Sequence, residues 1–100
     1  MEQRIVKDFL DVIVLSELKK TGTLSGYDFI NTVQRKYRLL TSAGTVYALM
    51  YAMERQGLIK GSHEEGRRTY ELTDKGLDTL DLIHQEKSET LNLIDTILSG

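Results

Sequence analysis

The residues with the most chemical interest lie in one stretch, SAGTVYALMYAMERQ, residues 42–56. At about 100° per residue, Val46, Leu49, Met50 and Met53 fall on one apolar stripe of a helix. The opposite side holds Gly44, Ala48, Tyr51 and Arg55, flanked by Tyr47 and Ala52. A surface helix ordinarily covers that side with Lys, Glu and Gln. Here the small residues Gly44, Ala48 and Ala52 repeat at i, i+4 and i+8 and permit close approach to another surface. Beside them, the hydroxyls of Thr45, Tyr47 and Tyr51 suit phosphates and base edges. The same spacing lets two protein helices pack closely, so the face alone leaves a nucleic-acid and a protein partner open.

Enzymatic patterns are not found. His63 and His84 have no paired ligand spacing, and Glu64-Glu65 on an expected turn read as a solvated pair rather than an acid–base dyad. No glycine-rich phosphate loop or nucleophile motif occurs. The absence of cysteine excludes disulfides and thiolate metal sites and suits a reducing cytoplasm. The chain is read as a non-enzyme that needs no cofactor or metal. The densest apolar stretch, residues 9–18, is broken by Asp11, Ser16 and Glu17, so no membrane span is expected.

The net charge of −2 and the pI near 5.6 argue against a nucleic-acid binder when taken whole. The distribution argues differently. Residues 34–68 carry seven basic and three acidic groups, whereas residues 69–100 carry two basic and seven acidic. An acidic tail masks a basic middle, and the middle contains the unusual helix.

The elements that must position this helix follow from local signals. Residues 4–20 read as a first helix with apolar residues on more than one face, including Val6, Phe9 and Leu10. One side can meet the core and the other a partner subunit. Gly22 ends it. Ser25 caps a second helix over residues 26–37, where Lys36 and Arg38 gather with Arg35 at the C-terminal end. That cluster reads either as a dipole-matched, solvated helix end or as a phosphate contact. Thr41 or Ser42 caps the quoted helix, and Gly57 closes it. Residues 58–63 and 67–72 read as a β-hairpin around Glu64-Glu65-Gly66, a three-residue loop fitting a type I turn with a G1 bulge. Thr73 caps a last helix running to about residue 99, roughly 39 Å long, too long for the body before it to cover. Leu77, Leu80, Leu91, Ile94 and Leu98 fall near a three-four spacing along it, so with Ile83 it is expected to form a subunit contact.

Two short helices joined by a tight turn give a helix-turn-helix, whose second helix enters the DNA major groove. The hairpin then serves as a wing, with Arg67 and Arg68 placed to grip the backbone. Glu64 and Glu65 at its tip would repel phosphate, so either they pair with the arginines or the wing stays clear of DNA. The expected fold is mainly α with a small β-hairpin: a winged helix-turn-helix in residues 1–73 and a long C-terminal dimerisation helix in residues 74–100.

On these residues the chain resembles the PadR family of winged-helix transcriptional regulators, over roughly residues 8–80. Gly26-Tyr27-Asp28-Phe29-Ile30 is similar to the family's H-G-Y-E-I, with Ser25 in place of histidine. Gly44-Thr45-Val46-Tyr47 matches its G-T-L-Y segment, with Ala48 in place of proline. Leu49 and the run Met53-Glu54-Arg55-Gln56-Gly57-Leu58-Ile59 match L-x-x-L-E-x-x-G-L-I. Residues 66–76 match the wing and helix start, G-R-x-R-x-Y-x-L-T-x-x-G, shortened by one residue. The resemblance implies a homodimer joined through the last and first helices, acting on a pseudo-palindromic double-stranded operator. It usually implies a repressor released by a small-molecule effector. Carried over by position, Ser42, Thr45 and Tyr47 would contact DNA, assisted by Tyr27, Arg67 and Arg68. The competing reading is a winged helix used for protein interaction without specific DNA binding.

Overall fold

α1 (Glu2–Thr21) is the spine on which the other elements rest. The computed structural model describes the backbone of residues 2–99 and the side chains of residues 10–99. Leu10, Val14 and Leu18, at i, i+4 and i+8, are fully buried together with Leu15. Leu10 therefore has no surface left for a partner subunit, contrary to expectation. The side chains of Val6 and Phe9 lie outside the described residues. The second apolar side of α1 borders an open hollow of about 360 Å³ lined by Val12, Ile13, Ser16, Tyr37 and Leu39.

α2 (Gly26–Arg35) and α3 (Ala43–Arg55) form the helix-turn-helix. Ser25 caps α2 as read, its Oγ accepting from Asp28 N, and of the two candidates for α3 the cap is Ser42, whose Oγ accepts from Thr45 N. α2 buries Phe29 and Val33, and α3 buries Val46, Leu49, Met50 and Met53. Gly57, at φ +79°, ends α3 in the left-handed region.

The sheet holds one strand more than the hairpin. β1 (Thr23–Ser25), β2 (Ile59–Glu64) and β3 (Arg67–Leu72) are antiparallel in the order β1-β3-β2. Tyr70 in the central strand sits opposite both Leu24 and Gly61. The expected three-residue loop is corrected. Glu64 pairs with Arg67, leaving Glu65 and Gly66 as a two-residue turn with φ of 51° and 76°. Positive φ at both central positions is the type I′ geometry, whose twist matches that of the flanking strands. A glutamate in the first position is unusual, since Asn, Asp and Gly tolerate that conformation best.

α4 (Asp74–Ser99) starts inside the body and leaves it. Thr73 Oγ1 accepts from Gly76 N at 3.0 Å and donates to the Leu58 carbonyl at 3.1 Å, tying the helix start to the end of α3. Gly76 packs against the Leu58 carbonyl, where a methyl group would collide with backbone. Leu80 is buried in the chain's own core, so like Leu10 it cannot be part of an exposed subunit contact, and Ile83 is half-buried. Every residue from His84 to Ser99 is exposed. The molecule is consequently elongated, 57 × 29 × 21 Å.

One polar group in the core holds the helix-turn-helix loop to the spine. The Glu17 carboxylate, 5% exposed, accepts from Lys36 Nζ and from Tyr37 Oη, both at 2.7 Å through Oε1. Burial raises its pKa, but the hydrogen bonds from Lys36 and Tyr37 and the charges of Lys36 and Lys20 outweigh burial and hold it below the ordinary value. Glu17→Gln is expected to destabilise the fold by about 1–2 kcal/mol near neutral pH, because it weakens charged hydrogen bonds whose cation is half exposed. A folded pKa below the unfolded one gives stability that is full above the ordinary 4.5 and fades as pH falls through the folded value. Urea unfolding near pH 7 and near pH 3 reads the effect. A deficit of the variant that persists undiminished in acid would remove Glu17 as its source.

Candidate nucleic-acid interface

With its apolar stripe held in the core, α3 turns the remaining side outward. Gly44, Thr45, Ala48, Tyr51 and Arg55 are exposed, and Tyr47 is 46% exposed at the edge of the stripe. The first turn of α3 carries no acidic residue, and its free N–H groups are met only by the Ser42 hydroxyl. Ser42 and Thr45 also share a hydroxyl–hydroxyl bond of 2.9 Å, so this pair acts first as a cap. At the other end, the Arg55 guanidinium lies 5.7 Å from the centroid of the Tyr51 ring and puts a cation on the same face.

A groove of about 300 Å³ continues this face. Its walls are the start of α2 (Ser25, Gly26, Tyr27), Tyr47 of α3, and Arg67, Arg68 and Tyr70 of the wing. Three elements distant in sequence therefore meet at Tyr47. Gly26 makes the meeting possible. A methyl group there would overlap Tyr47 Cε1 and stand 3.2 and 3.3 Å from Cδ1 and Cζ. The glycine of the G-Y-D-F-I segment is thus explained by the tyrosine of G-T-V-Y. Sequence reading named Tyr27 and Tyr47 but missed Gly26 and Tyr70. The one signal for Gly26 was its type, since a residue without a side chain permits the close approach of another group.

The cations divide into free and engaged groups. Arg67 is exposed and forms none of the ion pairs found among the described residues. Arg38 is exposed in the α2–α3 loop at φ 53°. Two others differ from expectation. Lys36 is held by Glu17, which raises its pKa through their hydrogen bond, so its ammonium serves the loop rather than a phosphate. The Arg68 guanidinium binds Glu54 through Nη2, at 2.9 Å to Oε1 and 2.6 Å to Oε2, and this bond holds its pKa above the usual range. Neither wing-tip glutamate is neutralised by Arg68, since its partner is on α3.

No group of three or more His, Cys, Asp or Glu that could hold a metal ion occurs among the described residues. None of the described helices is long and apolar enough to cross a membrane. What the arrangement offers is an exposed surface of small side chains, hydroxyls, helix N–H groups and arginine, groups suited to phosphate oxygens.

Comparison with known proteins agrees with this geometry. The profile of a family described as transcriptional regulator PadR-like matches residues 14–82. A PadR family transcription regulator from Clostridium difficile is 28% identical, with a TM-score of 0.76 over 90% of this chain and 98% of that one. A transcriptional regulator from Clostridium thermocellum is 26% identical, with a TM-score of 0.76 over 96% of each chain. A PadR-like transcriptional regulator from Bacillus cereus, 24% identical, shares the fold with a TM-score of 0.81 over 97% of this chain and 98% of that one. No curated protein matches significantly.

The packing of Gly26 under Tyr47 can be checked without any ligand. Gly26→Ala should leave the fold intact, because the half-exposed ring can swing away, but should shift the Tyr47 ring resonances and those of Tyr27 and Tyr70 around the groove. Unchanged ring signals would mean that Tyr47 does not rest on Gly26 in solution.

Proposed function

The chain belongs to the PadR-like family of transcriptional regulators, and from that premise we propose that it binds a specific duplex DNA operator as a homodimer. In this reading α3 enters the major groove and the wing lies beside the backbone. The exposed face of α3 carries the proposal. Residues 39–53 contain no carboxylate, and the free helix N-terminus presents the positive end of its dipole. Gly44 and Ala48 let the helix sit deep in a groove about 12 Å wide. Thr45 and Tyr51 supply groups for base edges. Tyr27, Tyr47, Ser42 and the cations Arg67 and Arg38 supply groups for the backbone.

The dimer rests on α4. Leu91, Ile94 and Leu98 follow at i, i+3 and i+7 and are 50%, 44% and 80% exposed, and Leu93 and Ile97 widen the apolar face. A face of this kind associates rather than remaining in water. A two-fold arrangement would place two α3 helices on half-sites about one turn, roughly 34–36 Å, apart, which requires a pseudo-palindromic operator. A dimer seated on a promoter represses by occlusion, and a small molecule lodged at the subunit contact would release it by changing the spacing.

The decisive experiment titrates the protein against DNA from upstream of its own gene, at two salt concentrations, with random duplex as competitor. Tight binding that survives the competitor and weakens steeply with salt is expected, the log–log slope falling by about 0.9 for each phosphate neutralised. Tyr47→Ala should weaken specific binding about tenfold with fold and dimer intact, a typical loss for a positioned contact. Removing residues 86–100 should give a monomer by sedimentation, with weakened operator binding. Absence of DNA binding even at low salt, with an intact dimer, would instead support a protein-interaction module.

A further inference from the structure

Glu54 closes the last turn of α3, and its carboxylate faces the base of the wing. Oε2 accepts the backbone N–H of Gly61 in β2 at 3.3 Å. Both oxygens accept the guanidinium of Arg68 in β3. One carboxylate therefore holds both strands of the hairpin to one helix end. Arg68 reaches it across Gly61, where an added methyl would stand 2.7 Å from Nη2 and 2.9 Å from Cζ. Its other side lies 5.7 Å from the centroid of the Tyr70 ring. One guanidinium nitrogen, Nη2, bridges both carboxylate oxygens, and its contacts with Gly61 and the Tyr70 ring narrow the positions the side chain can take. Along β3, Arg67 and Arg68 point to opposite faces.

We propose that Arg68 is a positioning residue: locked to Glu54, it sets the angle between wing and α3, and it leaves Arg67 as the wing's phosphate contact. The proposal rests on the reading of the chain as a DNA binder. It assigns Glu54 a role that its charge alone would hide, because a carboxylate beside DNA should otherwise oppose binding. It also accounts for a glycine at position 61 in the middle of a strand, where glycine ordinarily weakens the sheet.

The test measures affinity and its salt slope for the unaltered chain and for Arg67→Ala, Arg68→Ala, Glu54→Ala and the Glu54→Ala/Arg68→Ala pair. Arg67→Ala should lower the slope by about one. Arg68→Ala should leave the slope unchanged and weaken binding about three- to tenfold, the size of reordering a displaced side chain and its strand. Glu54→Ala should weaken binding to a similar degree despite removing a negative charge, and the double variant should be no worse than either single one. A slope lowered by one in Arg68→Ala, or tighter binding by Glu54→Ala, overturns the assignment. A separate readout needs no DNA: amide order parameters of residues 60–68 should fall in Glu54→Ala. Unchanged wing order overturns the clamp even if the chain binds DNA. If the unaltered chain binds no DNA but the wing loosens, the clamp stands and the DNA reading fails.

Discussion

Burial of four side chains on α3 is the constraint on which the rest of the structure depends. Val46, Leu49, Met50 and Met53 are at most 5% exposed. Each contributes about 1.5–3 kcal/mol by leaving water, so rotating the helix by half a turn would forfeit most of the stability of a domain this small. The helical period then leaves no choice about what faces out. Gly44, Thr45, Ala48 and Tyr51 are presented because the other side is occupied. The face proposed to meet DNA is the complement of the core, held in place because the core is.

Polar groups fix what apolar packing leaves adjustable. Three ties each join segments that burial alone would let slide. Glu17 holds the loop before α3 through Lys36 and Tyr37. Glu54 holds the wing to the end of α3. Thr73 and Lys75 bond the carbonyls of residues 56–58, joining the end of α3 to the start of α4. α3 is thus fastened before its first residue and after its last. These ties also reshape the electrostatics: two cations of the basic middle segment are neutralised internally by Glu17 and Glu54. The positive charge that remains lies with Arg35, Arg38, Arg55, Lys60 and Arg67, all exposed, with Arg55 on the exposed side of α3 and Arg67 on the wing.

What sequence could show follows the range of the interactions. Caps at Ser25 and Thr73, the glycine at position 57 and the stripe of α3 depend on near neighbours along the chain and were legible, and the α3 cap was narrowed to Thr41 or Ser42. The three-residue β1 is too short to carry a period, and it exists because β3 offers it an edge. The wing turn differs from expectation by one residue, since a loop of two or three reads alike until Glu64 is seen opposite Arg67. The partners of Lys36 and Arg68 were not legible because they lie 19 and 14 residues away. Leu10 and Leu80 look like the other apolar residues of their helices, and only the folded chain shows that both are buried in its one core.

α4 joins the two regimes. Its first three turns contribute Gly76 and Leu80 to the core, so the direction in which it leaves is fixed by the body. Its last turns carry exposed apolar side chains that nothing among the described residues covers. A rigid helix transmits orientation along its length, because bending it would break backbone hydrogen bonds that have no alternative partner. In the proposed dimer, the crossing of two such arms would therefore set the distance between the two α3 helices without any contact near the DNA. Small changes at the crossing would be magnified at the far end, as a lever magnifies rotation. The interrupted seam, with His84, Lys87 and Ser88 between the apolar clusters, favours a contact that can shift over a continuous zipper that cannot. An adjustable crossing on rigid arms is what a regulator needs if its affinity for a fixed half-site spacing is to change without unfolding.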